Sequence, residues 1–177
     1  MEEVLAFWFH EIEPAQWFMK DASLDEEMRQ RFFKRYDEAT KGELFHWRET
    51  IKGRLAEIIL LDQFSRNFYR EDPRSFAQDT LALVLAQEAI RQPDIQMLSA
   101  VERGFIYMPL MHSESVVIHE QALKLFVEPG LEKRLRYEKQ HAEIIQKFGR
   151  YPHRNEVLGR QSTLEEKEYL ANGNVYF

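Results

Sequence analysis

Apolar residues recur along this chain at spacings of three and four. Nowhere do they alternate with polar residues over five or more positions between hairpin turns. The first spacing lines one face of a helix, whereas a half-buried strand requires a period of two. The pattern therefore predicts an all-α fold. The stripes are not purely apolar, however. In LAEIILLDQFSRN, Leu55, Ile58, Ile59 and Asp62 fall at i, i+3, i+4 and i+7, and Arg66 follows four residues on. In KQHAEIIQKFGR, His141 heads a stripe of Ile144, Ile145 and Phe148, and in GFIYMPLMHSE, Phe105, Met108 and Pro109 lead to His112. A carboxylate, a guanidinium and two imidazoles on core-facing stripes require partners, because unpaired buried charge is expensive. They find each other, or they find a ligand.

With 177 residues the chain is expected to form one domain with a substantial core, and 44% hydrophobic with 31% charged residues is a globular composition. A net charge of −6 argues against general nucleic-acid binding. The absence of cysteine excludes disulfides, zinc-thiolate sites and thiol nucleophiles. MEEVLAFWFHE has acidic flanks and too short an apolar run for a secretory signal, and no stretch reaches the length of a membrane span. The expectation is a soluble cytoplasmic protein with no membrane partner.

Prolines, glycines and caps divide the chain. A short helix precedes Pro14. Ser23-Leu24-Asp25-Glu26 reads as a capping box opening a helix to about Lys41, closed by Gly42. Thr50 caps the helix carrying LAEIILLDQF, and Asp72-Pro73 supplies a cap and a first-turn proline ahead of FAQDTLALVLAQEAI. A helix from about Asp94 is expected to kink or end at Pro109, with Ser113 capping its successor. Another runs from about Leu131 to Phe148 and stops at Gly149, and Ser162-Thr163-Leu164-Glu165 reads as a second box. About eight or nine helices with short connectors predict stacked antiparallel helical pairs. A weak echo links Ile58-Ile59 before Arg66-Asn67 to Ile144-Ile145 before Arg154-Asn155, which places two Arg-Asn corners in comparable positions.

Six ordered strings, AFWF, ILLDQFSRNFYR, FAQD, YMPLMHSE, KFGRYPHRN and LGRQST, resemble the domain-of-unknown-function 924 family from about Val4 to about Leu170. Ser65 and Tyr151 replace the proline and phenylalanine usual in that family. The resemblance implies an all-helical, tetratricopeptide-like superhelix and no particular activity or cofactor.

Each polar constellation has a bland reading and a functional one. Asp62 and Arg66 are i, i+4 neighbours, which suits either a structural ion pair or a carboxylate presenting a guanidinium to an anion. Glu114 fits the first turn of a helix, where it answers the dipole. Arg150, His153 and Arg154 sit in a tight helix exit, as an anion pocket or as partners for terminal carbonyls. No pair shows the spacing that sets two metal ligands on one helix face, and there is no phosphate loop, nucleophile elbow or dinucleotide fingerprint. His10, His46 and His119 read as surface residues.

The functional expectation is one polar pocket assembled from Asp62, Arg66, Asn67, Glu114, Arg150, His153, Arg154 and Asn155, with His112 and His141 as candidate acid–base groups of depressed pKa. Its ligand would be a small anionic molecule or a peptide carboxylate held by Arg66, Arg150 and Arg154, with Asp62 orienting Arg66. One alternative is an enzyme, hydrolytic or metal-assisted, acting on an anionic substrate through His112 and His141. Another is a structural or protein-interaction domain whose inward polar groups form a closed network.

Overall fold

The periodic stripes become helices, and side chains next to them decide where the helices begin. The computed structural model describes residues 1–173. α1 (Glu2–Ala6) runs on into a π-helical turn, Phe7–Glu11. It is followed by α2 (Ala22–Thr40), α3 (Ile51–Ile59), α4 (Ser65–Phe68), α5 (Asp79–Ile90), α6 (Ala100–Met111), α7 (Val116–Leu125), α8 (Glu132–Phe148) and α9 (Leu164–Ala171). Among the described residues there is no strand, and none of the helices is long and apolar enough to cross a membrane.

Two caps lie where the sequence puts them. Thr50 accepts from the Gly53 amide, and Asp72 accepts from the Arg74 amide. Asp72-Pro73 opens only a 3₁₀ turn, Pro73–Phe76, and α5 begins later, at Asp79. Elsewhere a neighbouring acceptor wins. Asp21, not Ser23, caps α2 by accepting from the Ser23 and Leu24 amides, since a carboxylate answers both the free donors and the positive end of the helix dipole. The last capping box is Thr163–Glu166, one residue later than expected.

α6 starts at Ala100 on a Ser99–Glu102 capping box and passes through Pro109 to Met111. Pro109 has no amide to donate to the Phe105 carbonyl, so the helix runs through it with one ladder bond missing. Ser113 is not a cap. Its amide still bonds the Leu110 carbonyl, so it belongs to the exit of α6, and Ser115 precedes α7. Gly149 leaves α8 at φ 69°, the left-handed conformation for which the sequence marks it.

The core is built on rings. Phe7 lies 5.0 Å from Phe32, Phe32 5.3 Å from Phe64, and Trp8 5.4 Å from Phe64 and 5.6 Å from Phe105. α3 packs against α5 and α6, while α5–α6, α6–α7 and α7–α8 pack as consecutive neighbours. A smaller apolar cluster joins Ile144, Ile145 and Tyr151 to Phe148 and Tyr169.

One local departure positions the site. Between α3 and α4 the chain forms a π-helical turn, Leu60–Phe64, in which every residue is buried. Asp62 lies inside this turn, buried with its apolar neighbours.

Candidate functional site

Asp62 Oδ1 lies 2.7 Å from Nδ1 of His112, the residue that ends α6. Its Oδ2 accepts from the side-chain Nε2 of Gln63 at 2.5 Å, and Arg66 Nη1 stands 3.3 Å from Oδ1 while donating to the Asp62 carbonyl. Burial opposes charge on this carboxylate, but His112 and Arg66 outweigh it and hold the group below the usual carboxylate range. An ionised carboxylate only accepts, so Nδ1 of His112 carries the hydrogen. Burial lowers the pKa of His112, with Asp62 opposing and Arg66 reinforcing the shift. The neutral ring therefore presents Nε2 as a lone pair, and no group among the described residues bonds it.

That nitrogen belongs to a side chain lining a pocket of about 290 Å³, just below the roughly 300–1,000 Å³ usual for ligand sites. The pocket lies where the start of α5, the exit of α6 and the segment 154–158 meet. Asp79, Thr80, His112, Ser113, Glu114 and Arg154 form its polar wall, and Pro73, Phe76, Ala77, Leu83 and Leu158 the apolar one. Asp79 Oδ2 accepts from Arg66 Nη2 at 3.0 Å and from Arg154 Nη1 at 3.3 Å. Arg154 lies 4.6 Å over Phe76 and 4.4 Å over Tyr151, and burial, with Arg66 reinforcing it, lowers its pKa. Because one carboxylate serves two arginines, Asp79 Oδ1 and Arg154 Nε remain buried without a protein partner. Each such orphan costs about 1–3 kcal/mol.

His112 is also fixed through its neighbours. The Tyr151 hydroxyl donates to the Met111 carbonyl at 2.5 Å, and His119 Nε2 donates to the Ser113 carbonyl at 2.9 Å. His119 Nδ1 faces Glu138 Oε1 at 2.7 Å. Glu138 is fully buried, its second oxygen has no partner, and burial, opposed by His119, pushes its pKa up. The expectation of a surface His119 is corrected by its 2% exposure. Polar neighbours in sequence hid the fact that His119 shares the inward face of α7 with Ala122. Tyr151→Phe is expected to leave the Met111 carbonyl short of a donor and to cost about 1–3 kcal/mol. A lower urea midpoint at unchanged m-value would report this, and an unchanged midpoint would contradict it.

Of the residues singled out from sequence, Asp62, Arg66, His112, Glu114 and Arg154 come together. Glu114 lines the pocket but is saturated, accepting from the Tyr151 amide at 2.7 Å and from Arg160 at 2.6 and 2.9 Å. The others engage elsewhere. Asn67 donates to Asp25, which also pairs with Arg70. Arg150 pairs with Glu166 at 2.6 Å and donates to the Gln161 carbonyl. Asn155 donates to Ser162 and Glu166 and accepts from Arg160. His141 is tied through Nδ1 to the Tyr137 carbonyl of its own helix and stands edge-on to Tyr151 at 5.6 Å, and His153 lies 5.5 Å from the same ring. Among the described residues no three His, Asp or Glu side chains gather as metal ligands.

Sequence reasoning missed Asp79, His119, Glu138 and Tyr151. The two Arg-Asn corners of the sequence echo both send their arginines to Asp79, a convergence that only the structure shows.

A comparison with curated proteins finds no match. Among solved structures, a protein of unknown function from Agrobacterium tumefaciens is similar, with 37% identity, a TM-score of 0.92 and 97% of each chain covered. The profile of the family described as bacterial protein of unknown function (DUF924) matches residues 4–174. Sequence match and shared all-helical architecture thus extend over nearly the whole length, and the chain belongs to the DUF924 family.

Proposed function

We propose that this protein binds a small carboxylate-bearing molecule in the pocket between α5, α6 and the segment 154–158. Arg154 holds the carboxylate, and His112, fixed in its tautomer by Asp62, makes the second polar contact. The observation carrying this reading is the unbonded Nε2 of His112, on a pocket wall that also holds Arg154. Arg66 stands behind, tied to Asp62 and Asp79, and Arg150 is engaged by Glu166, so Arg154 is the anchor among the three arginines.

The test is a thermal-shift and calorimetric screen of small carboxylates, phosphates and nucleotides against the wild type, Arg154→Gln and His112→Gln. A carboxylate is expected to raise Tm in the wild type, equivalent to about 2.7 kcal/mol at a hundred times Kd. Both variants should lose the shift while still unfolding cooperatively. An undiminished shift in both variants, or no shift with any compound, would overturn the reading.

The same dyad favours a second reading, in which the protein is an enzyme acting on that ligand. A carboxylate-oriented imidazole is the arrangement of a general base, and His112 Nε2 would take a proton from a bound hydroxyl or water. Turnover that collapses in folded His112→Ala supports it, and binding without turnover over hours opposes it.

A further inference from the structure

We propose that Glu138 is kept as a neutral carboxylic acid and, by donating its hydrogen to His119, latches the turn that carries His112. The consequence for the pocket rests on the binding reading above, whereas the placement of the hydrogen does not.

The carbonyls of Met111 and Ser113 flank His112 and can only accept. The Tyr151 hydroxyl, 2.5 Å from the Met111 carbonyl, directs its single hydrogen there and has none for Nε2 of His119, 3.1 Å away. Nε2 lies 2.9 Å from the Ser113 carbonyl and therefore carries a hydrogen of its own. On the other side of the ring, Nδ1 faces Oε1 of Glu138 at 2.7 Å. A carboxylate and a ring lone pair would both be acceptors at that distance, so a proton stands between them.

The surroundings place that proton on Glu138. The side chain is wholly buried, and its Oε2 has no partner. In a carboxylate that bare oxygen would carry half a charge; in the acid it is a carbonyl, the cheaper group to leave unbonded. Among the described residues no lysine or arginine pairs with Glu138, and burial raises its pKa, with His119 opposing. The nearby titratable groups are His141 on α8 and Tyr151 beyond it, both uncharged at neutral pH because burial lowers the one and raises the other. Arg154, over the Tyr151 ring, is answered by Asp79. From the exit of α6 come the two carbonyls and His112 itself. Loss of the proton would set a carboxylate against a lone pair, and His119 would turn from the Ser113 carbonyl, whose residue lines the pocket beside His112.

The experiment is NMR of the intact protein with ¹⁵N-labelled histidine and ¹³C-labelled glutamate, from neutral pH into alkali. At neutral pH, His119 is expected to carry hydrogen on Nε2 alone, and the Glu138 carboxyl carbon to resonate as an acid. In alkali the His112 ring signals should move together with that carbon, although His112, its own pKa lowered, is already neutral. Glu138→Gln supplies an amide donor in place of the acid, so its His112 signals should match neutral wild type and hold through the range. Glu138→Leu, with nothing to donate, should shift them at neutral pH. Relative to Glu138→Gln, the folding constant of the wild type should fall about tenfold per pH unit above the carboxylate range of the unfolded chain. Hydrogens on both nitrogens of His119, or an ionised Glu138 at neutral pH, overturn the inference. So do His112 signals that stay fixed in folded Glu138→Leu, or in the wild type while Glu138 titrates. The wild-type spectra stand without either variant. No ligand enters the experiment, so these outcomes leave the carboxylate reading to its own screen.

Discussion

Asp62→Ala is expected to destabilise the protein by about 3–5 kcal/mol, the cost of removing one partner from a buried charged group. Three side chains depend on this carboxylate: His112 at 2.7 Å, Gln63 at 2.5 Å and Arg66 at 3.3 Å. The alanine leaves all three beside a cavity that cannot satisfy them. Arg66 keeps Asp79, which holds the loss to this range. Asp62→Asn should cost less, because an amide fills the space and still bonds. It exchanges an obligate acceptor for a group that can donate, so Nδ1 of His112 is free to accept and the hydrogen moves to Nε2. Urea unfolding reads the first effect, and the ¹⁵N shifts of the His112 ring read the second. A loss under 1 kcal/mol for the alanine would mean that Asp62 is not a keystone of the interior.

Acid is expected to destabilise the fold well before the carboxylates titrate. Burial, with the backbone bond to Tyr137 opposing and neighbouring cations adding to it, takes His141 down to about 3. Burial and Arg154 take His153 to about 4, and His112 is lowered as well. In the unfolded chain a histidine takes up its proton near pH 6.5. Below that pH the unfolded state binds more protons than the folded one, so stability falls with pH. The contribution is complete above pH 6.5 and is lost down to about pH 4 for His153 and about pH 3 for His141. Glu138 works the other way, since its raised pKa lets the folded state take a proton first. Three imidazoles against one carboxyl leave a net loss of a few kcal/mol by pH 4. Unfolding free energy constant from pH 7 to 4.5 would refute this.

Helical period and polar intrusions were legible in the sequence because both are local. Spacings of three and four fix which residues share a face. Asp62 and His141 on such faces are buried, and Arg66 pairs with Asp62 one turn away. Caps were legible only where one acceptor stood alone, as at Thr50. Where Asp21 stood near Ser23, or Thr163 beside Ser162, two neighbouring acceptors competed, and the one that caps is Asp21 in the first case and Thr163 in the second.

Partner choice was not legible. Asp62 meets His112 fifty residues away, Arg66 and Arg154 share Asp79, Arg150 turns to Glu166, and Asn67 turns to Asp25. The sequence reading gathered all these groups into one pocket, whereas the structure divides them among separate partners. The sequence by itself determined that this chain is helical and that charges lie inside it, since backbone hydrogen bonding and burial period act over a few residues. Only the tertiary structure decided which charges meet and which nitrogen of His112 is left open to the pocket, because those depend on how α5, α6 and the segment after α8 pack across long separations in sequence.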